Sequence, residues 1–119
     1  MFPAVAFLNY EMITPEDKFG QQMVENIEMR GCSLLGIHEC PSLEAQKARM
    51  LSVLGGEGAQ AEAITMGNVY KERLEADRAR IEKLEMFDEW EEWDLLQAHY
   101  CLVLGIRSTE QYSFEGVRI

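Results

Sequence analysis

Three short runs of apolar or small residues have the pattern of buried strands. Residues 4–8 are continuously apolar, and so short a run favours a strand that is buried on both faces. Small and polar residues alternate from 59 to 66, which predicts an edge strand. A second apolar run covers residues 99–106. The pattern therefore predicts strands near the beginning, in the middle and towards the end of the chain.

Two segments between the first two strands repeat apolar residues with the period of a helix. In the first, Thr14 has the position of the N-terminal cap, Pro15 that of the first helical residue and Asp17 that of the reciprocal capping site. Its apolar face would hold Phe19, Met23 and Ile27. We expect this helix to end at Gly31.

The second predicted helix begins at Pro41 and Ser42 and ends at Gly55. Its apolar side would hold Leu43, Met50, Leu51 and Leu54. The glycine-rich stretch 55–58 follows a helix and precedes a strand. Because a phosphate-binding loop needs the reverse order, strand then loop then helix, we interpret this stretch as a turn.

The segment 68–96 is the most charged part of the chain, and its apolar residues keep a helical period. We predict one amphipathic helix that buries a single stripe and leaves its charges in water. From Glu85 to Asp94 there are six acids and no base, a density that could bind a cation or a basic protein surface. Trp90 and Trp93 could either anchor a partner or belong to the core.

Composition and charge limit the function classes. The chain has 119 residues, 47% of them hydrophobic and 27% charged, which is typical of one ordinary domain or a large piece of one. Its 21 acids against 11 bases give a net charge of −10. Nucleic acids and anionic membranes need a cationic surface, so both are excluded as expected partners.

The cysteines indicate a reducing compartment. Cys32, Cys40 and Cys101 are odd in number and lack the C-x-x-C spacing, which favours reduced thiols over a disulfide framework. No apolar run approaches the length of a membrane span, and the start lacks the basic region of a signal peptide. We therefore expect a soluble cytoplasmic protein.

Motifs that carry chemistry are weak. His38, Glu39 and Cys40 are adjacent, so their side chains point in different directions and do not form a zinc site by themselves. No G-x-S-x-G elbow is present. Asn9, Tyr10 and Glu11 follow the first apolar run, at the end of a strand where α/β sheets bind ligands. No glycine loop or ribose-binding acid precedes them, so the chain is typical of the back half of a cofactor-binding fold.

Five blocks of sequence together resemble the leucine carboxyl methyltransferase family. They are residues 7–11 (FLNYE), 17–21 (DKFGQ), 42–47 (SLEAQK), 82–85 (EKLE) and 99–102 (HYCL), in that order. The resemblance spans most of the chain, although residues 55–78 match less clearly. It implies an S-adenosylmethionine-dependent methyltransferase of class I that esterifies the C-terminal leucine carboxylate of the catalytic subunit of type 2A protein phosphatases.

The resemblance also implies a fold. Residues 1–119 would be the C-terminal portion of a single α/β, Rossmann-like methyltransferase domain whose seven-stranded sheet carries one antiparallel strand. Strands five, six and seven would be residues 4–8, 59–66 and 100–106. The family's cofactor-binding elements belong before Met1, so no cofactor-binding residue, no metal ligand and no catalytic residue is assigned within this chain.

An antiparallel last strand would begin at the ligand-binding end of the sheet, which defines a candidate substrate pocket. Its six candidate residues are Asn9, Tyr10, Glu11, Met66, His99 and Tyr100. A leucine carboxylate is already ionised at neutral pH and attacks the methyl group in line, so the enzyme must mainly position the reactants and exclude water. Tyr10 and Asn9 could hold the carboxylate, Glu11 would repel it unless paired, and the missing half would supply a basic clamp.

Three hypotheses remain open at the level of sequence. The chain is the C-terminal portion of a methyltransferase whose N-terminal half lies elsewhere, a binding module that contacts a phosphatase-like partner, or an inactive remnant that dimerises. Each turns on strand five, whose edge would pair with strand four in the whole fold. Exposed, that edge should bind the missing half or associate with itself.

Overall fold

The computed structural model describes residues 2–119, which form an α/β arrangement of one sheet and several helices. The strands are β1 (Val5–Met12), β2 (Ala59–Thr65) and β3 (Tyr100–Arg107). The helices are α1 (Lys18–Met29), α2 (Leu43–Leu54), α3 (Met66–Asn68), α4 (Glu75–Ile81) and α5 (Trp90–Ala98). A π-helical turn, Val69–Arg73, joins α3 to α4.

The last strand in sequence is the central strand of the sheet. The strand order is β1-β3-β2, and β3 pairs antiparallel with both neighbours. β1 and β2 therefore run in the same direction and lie at the two edges. This position confirms the prediction of an edge strand at 59–65.

The main core lies between the sheet and α2. Met50 and Leu54 of α2 are buried with Cys101 and Val103, both 0% exposed, at the centre of β3. A Cβ atom added at Gly105 would overlap the Met50 side chain. Glycine at this position therefore lets α2 pack closely against the middle of the sheet.

The predicted capping arrangement of α1 is wrong. Asp17 is the N-cap, and its Oδ1 accepts a hydrogen bond of 2.7 Å from the Gly20 amide. Thr14 instead has a φ of 60° and donates its backbone N–H to the Pro41 carbonyl at 2.8 Å. Pro15 is not in the helix but is fully buried in the turn before it. The turn folds back onto the first turn of α1, so Asp17 and not Thr14 reaches the free amides.

The other predicted helix ends are confirmed. Gly31, with a φ of 78°, follows the last residues of α1. Ser42 caps α2 by accepting a hydrogen bond of 3.2 Å from the Ala45 amide, and Gly55, with a φ of 56°, ends it. Residues 55–58 form the turn into β2, as expected.

The single helix predicted for residues 68–96 is wrong. The chain leaves helical geometry after Ile81 and becomes helical again only at Trp90. The Tyr70 hydroxyl donates to Glu82 Oε1 at 2.9 Å, and the Trp90 and Trp93 rings pack against the Tyr70 ring. Aromatic packing that a continuous helix could not make has therefore overridden the helical period.

β1 is longer and more exposed than predicted. It extends to Met12, so Asn9, Tyr10 and Glu11 lie within the strand and not beyond its end. The Phe7 and Leu8 side chains are 53% and 62% exposed, which contradicts burial on both faces. The reason is that within this chain β1 has a hydrogen-bonded neighbour on one side only.

Within residues 2–119, the helices are all too short or too polar to cross a membrane. The three cysteines are free thiols, with Cys32 exposed and Cys40 and Cys101 buried.

Gly20→Ala should destabilise the fold. Its Cβ atom would overlap the Thr14 carbonyl oxygen and lie 2.8 Å from Pro15 Cα, which are both backbone atoms that cannot move aside cheaply. We expect a loss of roughly 1–3 kcal/mol in the free energy of unfolding, measured in urea.

Gly36→Ala is the matched control, since its Cβ atom would meet only Arg49 Nη1 at an ordinary 3.9 Å. Equal stabilities of the two variants would show that the turn does not close on α1 as described.

Candidate functional site

The candidate pocket residues lie at one end of the sheet. Cys101 of β3 is paired with Glu11 of β1 on one side and with Thr65 of β2 on the other. The end of β1, the end of β2 and the beginning of β3 therefore meet at one rim. Side chains alternate between the two faces of a strand, which divides the candidates into two groups.

On the face towards α2, Glu11 is the centre of a polar network. Its Oε1 accepts hydrogen bonds from Asn9 Nδ2 at 2.6 Å and from Arg49 Nη2 at 2.5 Å. Gln46 Nε2 lies 3.4 Å from Glu11 Oε2, and Gln46 Oε1 accepts a second bond from Arg49 at 2.7 Å. Gln46 is 1% exposed and also donates to the Cys40 carbonyl at 3.1 Å. The Glu11 charge is thereby compensated within the chain.

The pKa of Glu11 reflects this network. Partial burial raises the pKa, but hydrogen bonds from Arg49 and Asn9 and the positive charge of Arg49 outweigh it, so the pKa lies below its usual value. The same contact raises the pKa of Arg49. Glu11 is therefore an ionised structural partner of Arg49 at neutral pH.

On the opposite face, Tyr10 and Tyr100 stack on each other. Their ring centroids are 5.1 Å apart and the rings are inclined by 13°. Tyr10 is 55% exposed. Burial and the neighbouring Tyr100 raise the pKa of Tyr10, so its hydroxyl is a protonated donor at neutral pH. These two residues present a polar aromatic surface at the rim.

His99 is a buried connection between elements. It is 2% exposed, and its Nε2 lies 2.8 Å from both carboxylate oxygens of Asp17 while its Nδ1 lies 2.7 Å from the Leu95 carbonyl. Both partners are acceptors, so a ring protonated on both nitrogens satisfies them. The ring also packs 4.5 Å from Phe19. His99 thus joins the start of α1 to the end of α5.

The Asp17 carboxylate answers this arrangement. The Gly20 amide, followed by His99, holds the pKa of Asp17 below its usual value against a smaller effect of burial. Asp17 therefore caps α1 and pairs with His99 at once.

Met66 lies at the junction of β2 and α3. The preceding Thr65 caps this turn by accepting a hydrogen bond of 3.2 Å from the Asn68 amide. The next residue, Gly67, is buried against Gln97 of α5. Met66 itself is partly buried and offers apolar surface at the rim.

Arg49 and Gln46 were missed by reasoning from the sequence. Their spacing of three on α2 places them on one helix face. That spacing gave the only available signal, because the contact with Glu11 joins residues 38 positions apart. The basic group near the candidate pocket is therefore present in the chain, but it is bound to Glu11.

A groove of about 620 Å³ runs between β1 and α2. One end is polar and holds Asn9, Glu11 and Arg49. The other end is apolar and is lined by residues that include Val5, Phe7, Val53 and Leu54. The groove follows the unpaired edge of β1.

Metal and thiol chemistry find no support within residues 2–119. No three His, Cys, Asp or Glu side chains converge there as metal ligands. His38 is exposed and lies 3.6 Å from Glu16, whereas Cys40 is buried. Burial raises the pKa of Cys101 to about 11, so this thiol is unreactive at neutral pH.

Proteins of similar sequence match nearly the whole chain. Leucine carboxyl methyltransferase 1 of Bos taurus is 46% identical over 116 residues, which are 98% of this chain and 34% of that protein. A homolog of the same name in Arabidopsis thaliana is 42% identical over 106 residues, 88% of this chain and 31% of that protein. The chain spans about a third of the length of these relatives.

A relative with a different name also matches. tRNA wybutosine-synthesizing protein 4 of Homo sapiens is 36% identical over 107 residues, 89% of this chain and 15% of that protein. No family model matches the chain.

Arg49→Met should lower the free energy of unfolding at neutral pH by about 1 kcal/mol, because it removes the charged donor from Glu11. The Glu11 pKa is lowered in the folded state, so its stabilisation is complete above the usual value of 4.5 and is lost as the pH falls through the folded pKa. The deficit of the variant, measured in urea, should therefore shrink in acid.

Arg80→Met is the matched control, since Arg80 pairs with Asp77 at 3.1 Å while both side chains are well exposed. It should leave stability unchanged at every pH. A deficit of Arg49→Met that stays constant into acid would contradict the Glu11 pairing.

Asp17→Ala should cost more stability than Ser42→Ala. Both remove an N-cap, worth about 1 kcal/mol, but only the first also leaves buried His99 without its carboxylate. Asp17→Asn should cost less than Asp17→Ala because asparagine is also a good cap. Urea unfolding of the three variants measures the difference, and equal costs for Asp17→Ala and Ser42→Ala would refute a stabilising role of His99.

Proposed function

Because the chain belongs to the leucine carboxyl methyltransferase family, we propose that it is the C-terminal portion of an S-adenosylmethionine-dependent methyltransferase domain. The substrate we propose is the C-terminal leucine carboxylate of a type 2A protein phosphatase catalytic subunit. The observation that carries the proposal is identity of 39–46% with several leucine carboxyl methyltransferases over 88–98% of this chain.

The sheet supports the assignment of this chain to the last three strands of the family's fold. β1 and β2 run in the same direction and β3 lies antiparallel between them. This arrangement is compatible with strands five, six and seven of a seven-stranded sheet that carries one antiparallel strand. β1 would then be strand five, and its open edge would face strand four.

The surface along β1 supports a further segment packing there. Phe7 and Leu8 are more than half exposed, and the groove beside them is apolar at one end. Unpaired strand edges and exposed apolar groups are costly to leave in water. We assign this edge to the N-terminal half of the methyltransferase domain.

The contribution of this chain to the reaction is to position the substrate carboxylate. That carboxylate is ionised at neutral pH, so the site must orient it and exclude water. The Tyr10 hydroxyl is a half-exposed donor at the rim and is our first candidate for this contact. Asn9 is bound to Glu11, whose charge Arg49 compensates, so neither the amide nor the carboxylate is free.

Residues 2–119 do not fit a complete site for S-adenosylmethionine. The glycine-rich stretch 55–58 lies between a helix and a strand, where it cannot cradle a nucleotide. Glu11, the acid at the rim, is engaged by Arg49 and is not free for ribose hydroxyls. We therefore assign cofactor binding, together with the basic clamp for the substrate, to the rest of the domain. The three free thiols fit the cytoplasmic location that we propose.

The open edge of β1 also favours a second candidate function, a non-catalytic module or inactive remnant that binds a partner or dimerises through this edge. A tRNA substrate, suggested by the name of one relative, has less support, because the net charge of −10 is unsuited to a polyanion. The two candidates differ in whether this sequence can complete a working methyltransferase.

A chimera tests this difference. This chain replaces the matching third of the bovine leucine carboxyl methyltransferase 1, and transfer of a radioactive methyl group to a type 2A phosphatase catalytic subunit is measured. We expect methylation that is lost when the terminal leucine of the phosphatase is deleted. Tyr10→Phe in the chimera should reduce the rate by about tenfold or more, since it removes one hydrogen bond to a charged group.

Tyr112→Phe, in the exposed C-terminal region away from the rim, is the matched control and should retain the rate. A chimera that folds and binds S-adenosylmethionine but transfers no methyl group would refute the proposed function and favour the non-catalytic module.

A further inference from the structure

Four aromatic rings form a groove outside the core between the sheet and α2. Tyr70 comes from the π-helical turn, Phe87 from the connection 82–89, and Trp90 and Trp93 from α5. Centroid distances are 4.8 Å for Tyr70–Trp93, 4.9 Å for Phe87–Trp90 and 5.7 Å for Trp90–Trp93. With Ile81 and Leu84 these rings line a cavity of about 300 Å³, which we call the aromatic groove.

The rings of the aromatic groove stand at right angles to one another. The interplanar angles are 71° for Tyr70–Trp93, 87° for Phe87–Trp90 and 80° for Trp90–Trp93. Phe87 and Trp90 remain 40% and 37% exposed. Rings at right angles can surround a cation on more than one side, and tryptophan faces attract cations most strongly.

The rim of the aromatic groove is acidic. Residues 82–94 contain seven acids and one base, and Glu82 and Glu85 line the cavity itself. Glu82 lies 3.9 Å from Arg78, and Asp94 lies 3.5 Å from Lys71. The remaining acids form no ion pair within residues 2–119; they are Glu85, Asp88, Glu89, Glu91 and Glu92.

We propose that the aromatic groove is a docking site for a basic segment of a partner protein, which inserts an arginine side chain between the rings. The guanidinium group is planar, stacks on aromatic faces and can pair with Glu85 at the rim. Charge complementarity selects this occupant over a second copy of the chain, because two copies with a net charge of −10 each repel one another.

The aromatic groove is separate from the candidate substrate rim. Trp90 begins α5 and His99 follows its end, so the length of that helix, about 13 Å, separates the two. Partner binding at the aromatic groove therefore leaves Tyr10 and Tyr100 free and goes beyond the proposed methyl transfer.

The sequence provides a built-in probe for this site. Trp90 and Trp93 are the only two tryptophans, so intrinsic tryptophan fluorescence of the 119-residue chain reports on the aromatic groove alone. The titrant is a short disordered peptide of alternating arginine and glycine. We expect a saturable change in emission, and about tenfold weaker binding when citrulline, a neutral analogue of arginine, replaces every arginine.

Variants locate the binding site. Phe87→Ala removes one wall and Glu85→Gln one rim charge, and each should weaken binding of the arginine peptide by about fivefold. Tyr112→Ala and Glu115→Gln change an exposed aromatic and an exposed acid in the C-terminal region and should not alter binding. Circular dichroism checks that each variant is folded.

Several results would overturn the proposal. They are an unchanged emission with the arginine peptide, equal binding of the citrulline peptide, or equal binding by Phe87→Ala and Tyr112→Ala. An emission that changes with protein concentration alone would assign the aromatic groove to self-association instead.

Discussion

The antiparallel pairing of β3 with both of its neighbours is the constraint on which the rest of the structure depends. β3 is the last strand in sequence, yet it lies in the centre of the sheet and buries Cys101 and Val103 completely. Residues more than 90 positions apart, such as Glu11 and Cys101, become neighbours through this pairing. The pairing also brings the ends of all three strands to one rim.

The rim and the open edge follow from the same arrangement. With β3 in the centre, β1 is an edge strand and keeps Phe7 and Leu8 exposed. The polar end of β1 is satisfied by Arg49 from α2, while Tyr10 on the other face remains accessible. A chain that compensates its own rim charge but leaves an edge uncovered fits one portion of a larger catalytic domain better than a complete enzyme.

Local signals in the sequence predicted the existence of all three strands and several helix ends, because caps such as Ser42 and Gly55 act within one turn of the backbone. Thr14 and Asp17 were equally good caps by local criteria, and only the closure of the turn on Gly20 decides between them. The break after Ile81 was not predicted, because it arises from aromatic contacts across 20 or so residues.

The pairing of Arg49 with Glu11 escaped prediction for a similar reason. It depends on how α2 lies across the sheet, which no spacing within α2 reveals. The six candidate pocket residues were placed at one rim, but the alternation of β1 separates Glu11 from Tyr10 onto opposite faces. Their roles in substrate binding remain predictions.

Calorimetric titration with S-adenosylmethionine tests the central claim most directly, since the claim is that this chain supplies part of a methyltransferase sheet without its cofactor site. The folded 119-residue chain should show no binding, whereas the bovine chimera should bind in the micromolar range or tighter. Micromolar binding by the isolated chain would contradict the account, because residues 2–119 would then build a cofactor site by themselves.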